Sequence, residues 1–136
     1  MAYLNLKVKT MEDNLQSASL NGKVCYIEIP AVNPVSSSSF YETVFGWHIR
    51  KRSDGHLAFD DTTGGVSGVW VTGRNVAKET AVLIYIMVDD IEAAVEKVIV
   101  NGGIIVQPIG MDAPELTARF SDPAGNIFGL YQEPKS

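Results

Sequence analysis

Asp61-Thr-Thr-Gly64-Gly-Val-Ser-Gly68-Val69, in the middle of the chain, has a counterpart in Asp122-Pro-Ala-Gly125-Asn-Ile-Phe-Gly129-Leu130 near the C-terminus. Both read Asp-x-x-Gly-x-x-x-Gly-apolar, and the Asp and both Gly positions lie 61 residues apart in the two copies. Each copy of such a repeat is one structural unit that cannot bury its apolar face alone. The two copies should therefore pack about a pseudo-twofold axis, and a pocket should be lined by equivalent positions from both.

The residues upstream extend the repeat. Tyr26-Ile-Glu-Ile-Pro30 alternates like a strand and is followed by Asn33, a helical stretch and Gly46; Leu83-Ile-Tyr-Ile-Met-Val88 is followed by Asp90, a helical stretch and Gly103. Here the spacing is 57 residues, so the second copy holds four more residues between Gly103 and Asp122, which a hairpin absorbs. Asn33 reads as an N-cap with Pro34 in the first helical position. Phe40 and Val44, with Tyr41 and Phe45 as further candidates, form the buried stripe, and Gly46 ends the helix. Asp89 or Asp90 caps a second helix over 91–100, with Ile91, Ala94, Val95 and Val98 facing inward. Strands are predicted over 24–29, 47–52, 56–60 and 66–72, and again over 81–88, 104–109, 116–121 and 127–132. Each half is β-α-β-β-β. The expected fold is α+β, two pseudo-twofold-related βαβββ modules whose curled mixed sheets enclose a shared cavity. Residues 1–21 read as an N-terminal arm with a strand over 3–8. Residues 22–136 form one domain: module one over 22–73, a linker over 74–80 and module two over 81–133.

Composition narrows the classes. A chain of 136 residues with 46% hydrophobic and 20% charged residues has the make-up of one globular domain with a full core. The net charge of −5 argues against nucleic acid, whose phosphates need a basic surface. No apolar run approaches the roughly 20 residues of a membrane helix. No basic start precedes an apolar stretch at the N-terminus, and the single Cys25 excludes an internal disulfide; a cytoplasmic location is expected.

Phe40-Tyr41-x-x-Val44-Phe45-Gly46-Trp47, Val88-Asp-Asp90 and Asp122-Pro-x-Gly125-Asn126 resemble the vicinal oxygen chelate superfamily of glyoxalases, bleomycin-resistance proteins, fosfomycin-resistance enzymes and extradiol dioxygenases. The resemblance spans about residues 22–133 and implies the two-module fold. It also implies four metal-ligand positions, on the first and last strands of each module, occupied in the family by His, Gln or Glu. Carried over, they fall on Tyr26, Gly68, Leu83 and Gly129. None of these is a standard donor for a catalytic divalent cation. No metal and no other cofactor is therefore expected. Family members of this length commonly pair, so a homodimer is the expected assembly.

Alternation gives each strand two sides. Cys25, Ile27 and Ile29, like Val82, Ile84, Ile86 and Val88, are apolar enough to lie under a helix. The other side then carries Tyr26, Glu28, Leu83, Tyr85 and Met87. Extending the same parity to the last strands adds Gly68 and Trp70, Gly129 and Tyr131. Arg119 alternates with Phe120, which places it on the same side, where it can pair with Glu28 or an anionic ligand; it also reads as a solvated arginine near a strand end. The expected binding set is thus Tyr26, Glu28, Gly68, Trp70, Leu83, Tyr85, Met87, Arg119, Gly129 and Tyr131, with the two glycines leaving room at its centre. Each aromatic also reads as ordinary core, and the glycines as close backbone approach. Glu28, an acid within an apolar strand, is the candidate acid or base. His48 and His56 lie on different strands with no carboxylate at ligand spacing.

Three classes of function follow. The first is a metal-free protein that binds a small aromatic or apolar molecule. The second is an enzyme of the same superfamily (a glyoxalase-like lyase, dioxygenase or isomerase) that uses shifted ligands or acid–base groups such as Glu28. The third is an interaction module that keeps only the fold. The missing donors favour the first over the second, and the aromatic face favours both over the third.

Overall fold

The computed structural model describes residues 21–78 and 82–134. Apart from residue 21, the expected arm and its strand lie outside them. The first module runs β1 (Tyr26–Pro30), α1 (Pro34–Phe45), β2 (His48–Lys51), β3 (Leu57–Asp60) and β4 (Ser67–Val71). The second runs β5 (Tyr85–Met87), α2 (Ile91–Val100), β6 (Ile104–Gln107), β7 (Leu116–Ser121) and β8 (Ile127–Gln132). The two sheets have the same order, β1-β4-β3-β2 and β5-β8-β7-β6. In each the first and last strands run parallel and the other pairs antiparallel. The α+β, two-module fold is as expected, with two separate mixed sheets that do not close into a barrel. No described helix is long and apolar enough to cross a membrane.

Local chemistry sets the helix ends. The Asn33 side chain accepts from the Val35 and Ser36 amides at 3.0 and 3.4 Å, and Pro34 has no amide to orphan. Gly46 stops α1 at φ 75°, a left-handed conformation that favours glycine, and its N–H returns to the Glu42 carbonyl. Asp90, rather than Asp89, caps α2 by accepting from the Ala93 amide at 3.1 Å.

The helices pack against the sheets over one core shared by both modules. Tyr41 of α1 stacks on Trp47 at 4.7 Å, reaches Trp70 of the first sheet at 5.9 Å and meets Phe128 of the second at 5.9 Å. Phe40 packs on Phe120. Truncating a ring such as Phe120 in this core costs about 3–5 kcal/mol.

The register departs from expectation at one point. In the first module Asp60 pairs with Ser67, leaving residues 61–66 in the turn; in the second Ser121 pairs with Ile127, leaving 122–126. The closing bonds agree: the Asp61 amide donates to Val66 O, but the Asp122 amide donates to Asn126 O. The first turn is one residue longer, although its Asp-x-x-Gly start matches. Past the turn, Trp70 therefore corresponds to Leu130, Gly68 to Phe128, and Val69 to Gly129. A slip of one residue turns a strand over. Gly68 and Trp70 pair with Ile27 and Ile29 and lie on the helix-packed face, not on the open one; Trp70 is fully buried. Gly68 leaves no empty room, since the Phe59 ring occupies the place its side chain would take. Two smaller corrections accompany this. Cys25 precedes β1 and is exposed rather than packed beneath a helix. Ile84 precedes the short β5 and is 38% exposed.

Candidate functional site

β1 and β5 are each the edge strand of their sheet, and residues of both line the same cavity at a seam between the modules. The seam is held at one end by Asn126. Its Nδ2 donates to Pro30 O at 2.7 Å and to Asp122 Oδ2 at 3.0 Å, while its Oδ1 accepts from the Ala77 amide at 2.8 Å. Along the seam lies a half-open cavity of about 230 Å3. Its walls are Ile27, Trp47 and Phe59 from the first module and Ile84, Tyr85, Met87 and Phe128 from the second. Trp47 and Phe59 stack at 4.5 Å and form a rigid aromatic wall.

Asp61, Thr62 and Thr63 supply the polar rim. Asp61 Oδ1 accepts from Thr63 Oγ1 at 2.7 Å and from the Gly65 and Val66 amides at 3.0 and 3.4 Å. Burial pushes this carboxyl up, but those hydrogen bonds outweigh it and hold the group below the usual carboxylate range. Asp61 is an ionised acceptor occupied by its own turn, which suits it poorly to general-base work.

The face of each sheet away from the helices carries the rest of the expected set. On the first sheet, Glu28 is exposed and forms an ion pair with Arg74 at 2.8 Å, not with Arg119. The Tyr26 hydroxyl accepts from Arg52 at 3.3 Å. On the second sheet, pairing places Tyr85, Gly129 and Arg119 in one row and Met87, Tyr131 and Thr117 in the next. The Tyr85 ring lies over Gly129, where a side chain would stand. Leu83 is half-buried just before β5. The ten expected residues thus do not converge on one cavity. Tyr85 and Met87 line the seam cavity, and Glu28 lines a neighbouring groove of about 210 Å3 beside β1. Trp47, Phe59, Phe128 and the Asp61–Thr63 rim were outside the expected set. The sequence carries no signal for them, because the two copies have the same Asp-x-x-Gly-x-x-x-Gly spacing and only the strand pairing distinguishes a six-residue turn from a five-residue one.

The donor set does not fit the divalent metal that the fold implies. On the open face the first and last strands offer Tyr26, Glu28, Val69, Tyr85, Met87, Gly129 and Tyr131, with one carboxylate, already paired, and no imidazole. His48 pairs across from Asp60 and His56 sits beyond the far end of the same hairpin, 3.2 Å from Asp54, so the two do not meet. Among the described residues no three His, Cys, Asp or Glu are grouped to hold an ion.

Comparison with known proteins agrees with this architecture. A "Glyoxylase-like domain-containing protein" of Didymella fabae is 29% identical over 130 residues, covering 85% of this chain and 97% of its own length. Among solved structures, a glyoxalase/bleomycin resistance protein/dioxygenase family enzyme from Burkholderia phytofirmans superposes with a TM-score of 0.66 at 20% identity, covering 79% of this chain and 95% of its own. The fosfomycin resistance protein FosX from Listeria monocytogenes gives 0.69 at 14% identity, covering 83% and 92%. TnmS3, an antibiotic binding protein from Streptomyces, gives 0.65 at 19% identity, covering 85% and 99%. Residues 23–130 match the family model itself, and the chain belongs to the Glyoxalase/Bleomycin resistance protein/Dioxygenase superfamily.

Proposed function

We propose that this chain binds a small aromatic or apolar molecule in the seam cavity and does so without a metal. The observation that carries the reading is the cavity's composition. Trp47, Phe59, Phe128 and Tyr85 wall a space of about 230 Å3, and its one rim carboxylate is already satisfied. Ligand sites are commonly apolar clefts with few polar groups. An apolar cavity of about 150 Å3 admits benzene, so this one suits a compound of one or two rings. The antibiotic binding function of TnmS3 shows that a protein of this fold can serve as a binder, which supports the reading by analogy.

Trp47 on the wall is the reporter. Indole titrated into the protein is expected to shift the Trp47 side-chain NMR resonance saturably, with a smaller response at Trp70 behind Phe59. Ile84→Trp should fill the cavity and remove that shift. The absence of a saturable shift at millimolar indole would sink the binding claim. Stoichiometric metal in protein purified without chelator, with EDTA abolishing a lyase or dioxygenase activity, would sink the metal-free claim.

A further inference from the structure

The seam cavity does not end at its polar rim. A second space of about 440 Å3 opens beyond it, between the C-terminal end of α1 and the first turns of α2. Thr62, Thr63 and Met87 belong to the walls of both, so the two spaces meet there. The apolar walls of this cleft are Val44 and Phe45 from α1, Val88 after β5, and Ala93 and Ala94 from α2. Its charged liners are Asp89, Asp90 and Lys97. Met87 stands at the junction and is 61% exposed. Its unbranched thioether adapts to whatever lies against it.

The charges along this path are acidic until its far end. Among the described residues no base lines the seam cavity. The acids nearby are mostly engaged: Asp61 holds its own turn, Asp90 accepts from the Ala93 amide at 3.1 Å, and Glu28 of the neighbouring groove pairs with Arg74 at 2.8 Å. Asp89 differs, because its carboxylate makes no hydrogen bond or ion pair among the described residues. The Val88 amide still donates to Tyr131 O at 2.8 Å, so the chain runs on from Met87 toward Asp89 along the line of β5. Two residues of extended chain span about 7 Å. Lys97 is the one base in the cleft lining, and it lies six residues after Ile91, about 9 Å along the axis of α2. Tyr85 and Met87 line the seam cavity, and Met87 and Asp89 line the cleft, so one stretch of chain leads from aromatic wall to uncommitted acid.

We infer that the ligand is an aromatic amine: its ring sits in the seam cavity, its arm of two or three carbons passes Met87 into the cleft, and its ammonium meets Asp89. This rests on the seam-cavity reading and adds the length and charge of the ligand to it. Asp89 is then the residue that selects for a cation, and Met87 the residue against which the arm packs. The aromatic walls favour the same sign of charge, since the faces of aromatic rings attract cations.

The test uses tryptamine, its uncharged counterpart 3-ethylindole and the oppositely charged indole-3-propionate. Each is titrated by calorimetry into the full-length protein at neutral pH and low ionic strength. Tryptamine is expected to bind about fivefold more tightly than 3-ethylindole, the size of an ammonium–carboxylate contact at an exposed rim. Asp89→Asn should abolish that preference and leave the affinity for 3-ethylindole unchanged. Glu92→Gln removes the same charge from outside both spaces and should keep the preference. In the unmodified protein the Asp89 carboxyl carbon NMR resonance should move with tryptamine and not with 3-ethylindole, while the Trp47 side-chain resonance moves with both. That comparison needs no variant to fold. Equal affinities for tryptamine and 3-ethylindole with an unmoved Asp89 resonance, tighter binding of indole-3-propionate than of 3-ethylindole, or an equal loss of the preference in Glu92→Gln each overturns the inference and leaves the seam-cavity reading in place. If neither indole nor any of the three probes moves the Trp47 resonance, the seam-cavity reading falls and the inference falls with it.

Discussion

The turns at Asp61 and Asp122 begin alike and end in different tertiary roles. The first is a local device: among the described residues the Asp61 carboxylate accepts hydrogen bonds from groups of its own turn, Thr63, Gly65 and Val66, near the surface. The second is a clamp. Asp122 is 3% exposed; Oδ1 accepts the Ala124, Gly125 and Asn126 amides, and Oδ2 accepts the Tyr41 hydroxyl at 2.9 Å and Asn126 Nδ2. Through Tyr41 and Asn126 it ties α1, the end of β1 and the linker to the second sheet. Where the first copy has Gly65, the second has Asn126. That one side chain, together with the shorter turn, converts a hairpin closure into an inter-module joint. Equal motifs thus establish equal starts, not equal functions.

The largest effect should come from equalising the turns. Deleting Gly65 gives the first turn the length of the second, so β4 must either turn over, exposing Trp70 and burying its opposite face, or re-slip against β1 and β3. Loss of cooperative unfolding is expected, followed by circular dichroism in urea. A variant that unfolds cooperatively with Trp70 still buried would show that turn length does not set the face.

Removing each aspartate sharpens the same contrast. Asp122→Ala strands buried donors, including the Tyr41 hydroxyl and the Asn126 side chain, and should cost about 3 kcal/mol or more in denaturant unfolding. Asp61→Ala should cost about 1 kcal/mol. Equal losses would erase the distinction between joint and closure. The pair also differs in pH dependence. Burial, and then the Asp122 charge and hydrogen bond, raise the Tyr41 hydroxyl well above its ordinary value of 10.0. A raised folded value means the contribution is complete below pH 10.0 and is lost as pH rises beyond it. Asp61 is lowered from 3.8, so its contribution is present above that pH and lost as pH falls through the lower folded value. Tyr41→Phe should flatten the alkaline limb of the stability curve, and Asp61→Asn should change only the acid limb.

The glycines provide the smallest test. A side chain at Gly68 would meet the Ile27 carbonyl and the buried Phe59 ring, whereas one at Gly129 would first meet the ring of the half-exposed Tyr85. Gly68→Ala should destabilise by about 2–3 kcal/mol and Gly129→Ala by about 1 kcal/mol or less. For the same reason Gly68→Trp, which the glycine spacing alone would suggest as a cavity filler, should prevent folding. The reverse ranking in thermal unfolding would mean that the two faces have been assigned the wrong way round.

The sequence by itself determined the repeat, the order of elements, the two ends of α1, the start of α2 to within Asp89 or Asp90, and the apolar rows of β1 and β8, because each depends on local chemistry or on a period within one strand. Asn33-Pro34, Asp90 and Gly46 behave as their side chains and backbone freedom require, and Tyr26, Glu28, Tyr85, Met87, Arg119 and Tyr131 do face away from the helices. Only the tertiary structure decided the face of Gly68 and Trp70. Side-chain direction along a strand has a period of two, so a single residue accommodated in the first turn reverses it, and nothing within β4 records that count. It likewise decided that Glu28 pairs with Arg74 and leaves Arg119 without an ion pair among the described residues, and that the cavity forms at the seam between the modules, with Ile27 of β1 and Tyr85 of β5 both in its wall. Those outcomes depend on which distant groups the packing brings within reach of one another, and the spacing of residues along the chain does not encode them.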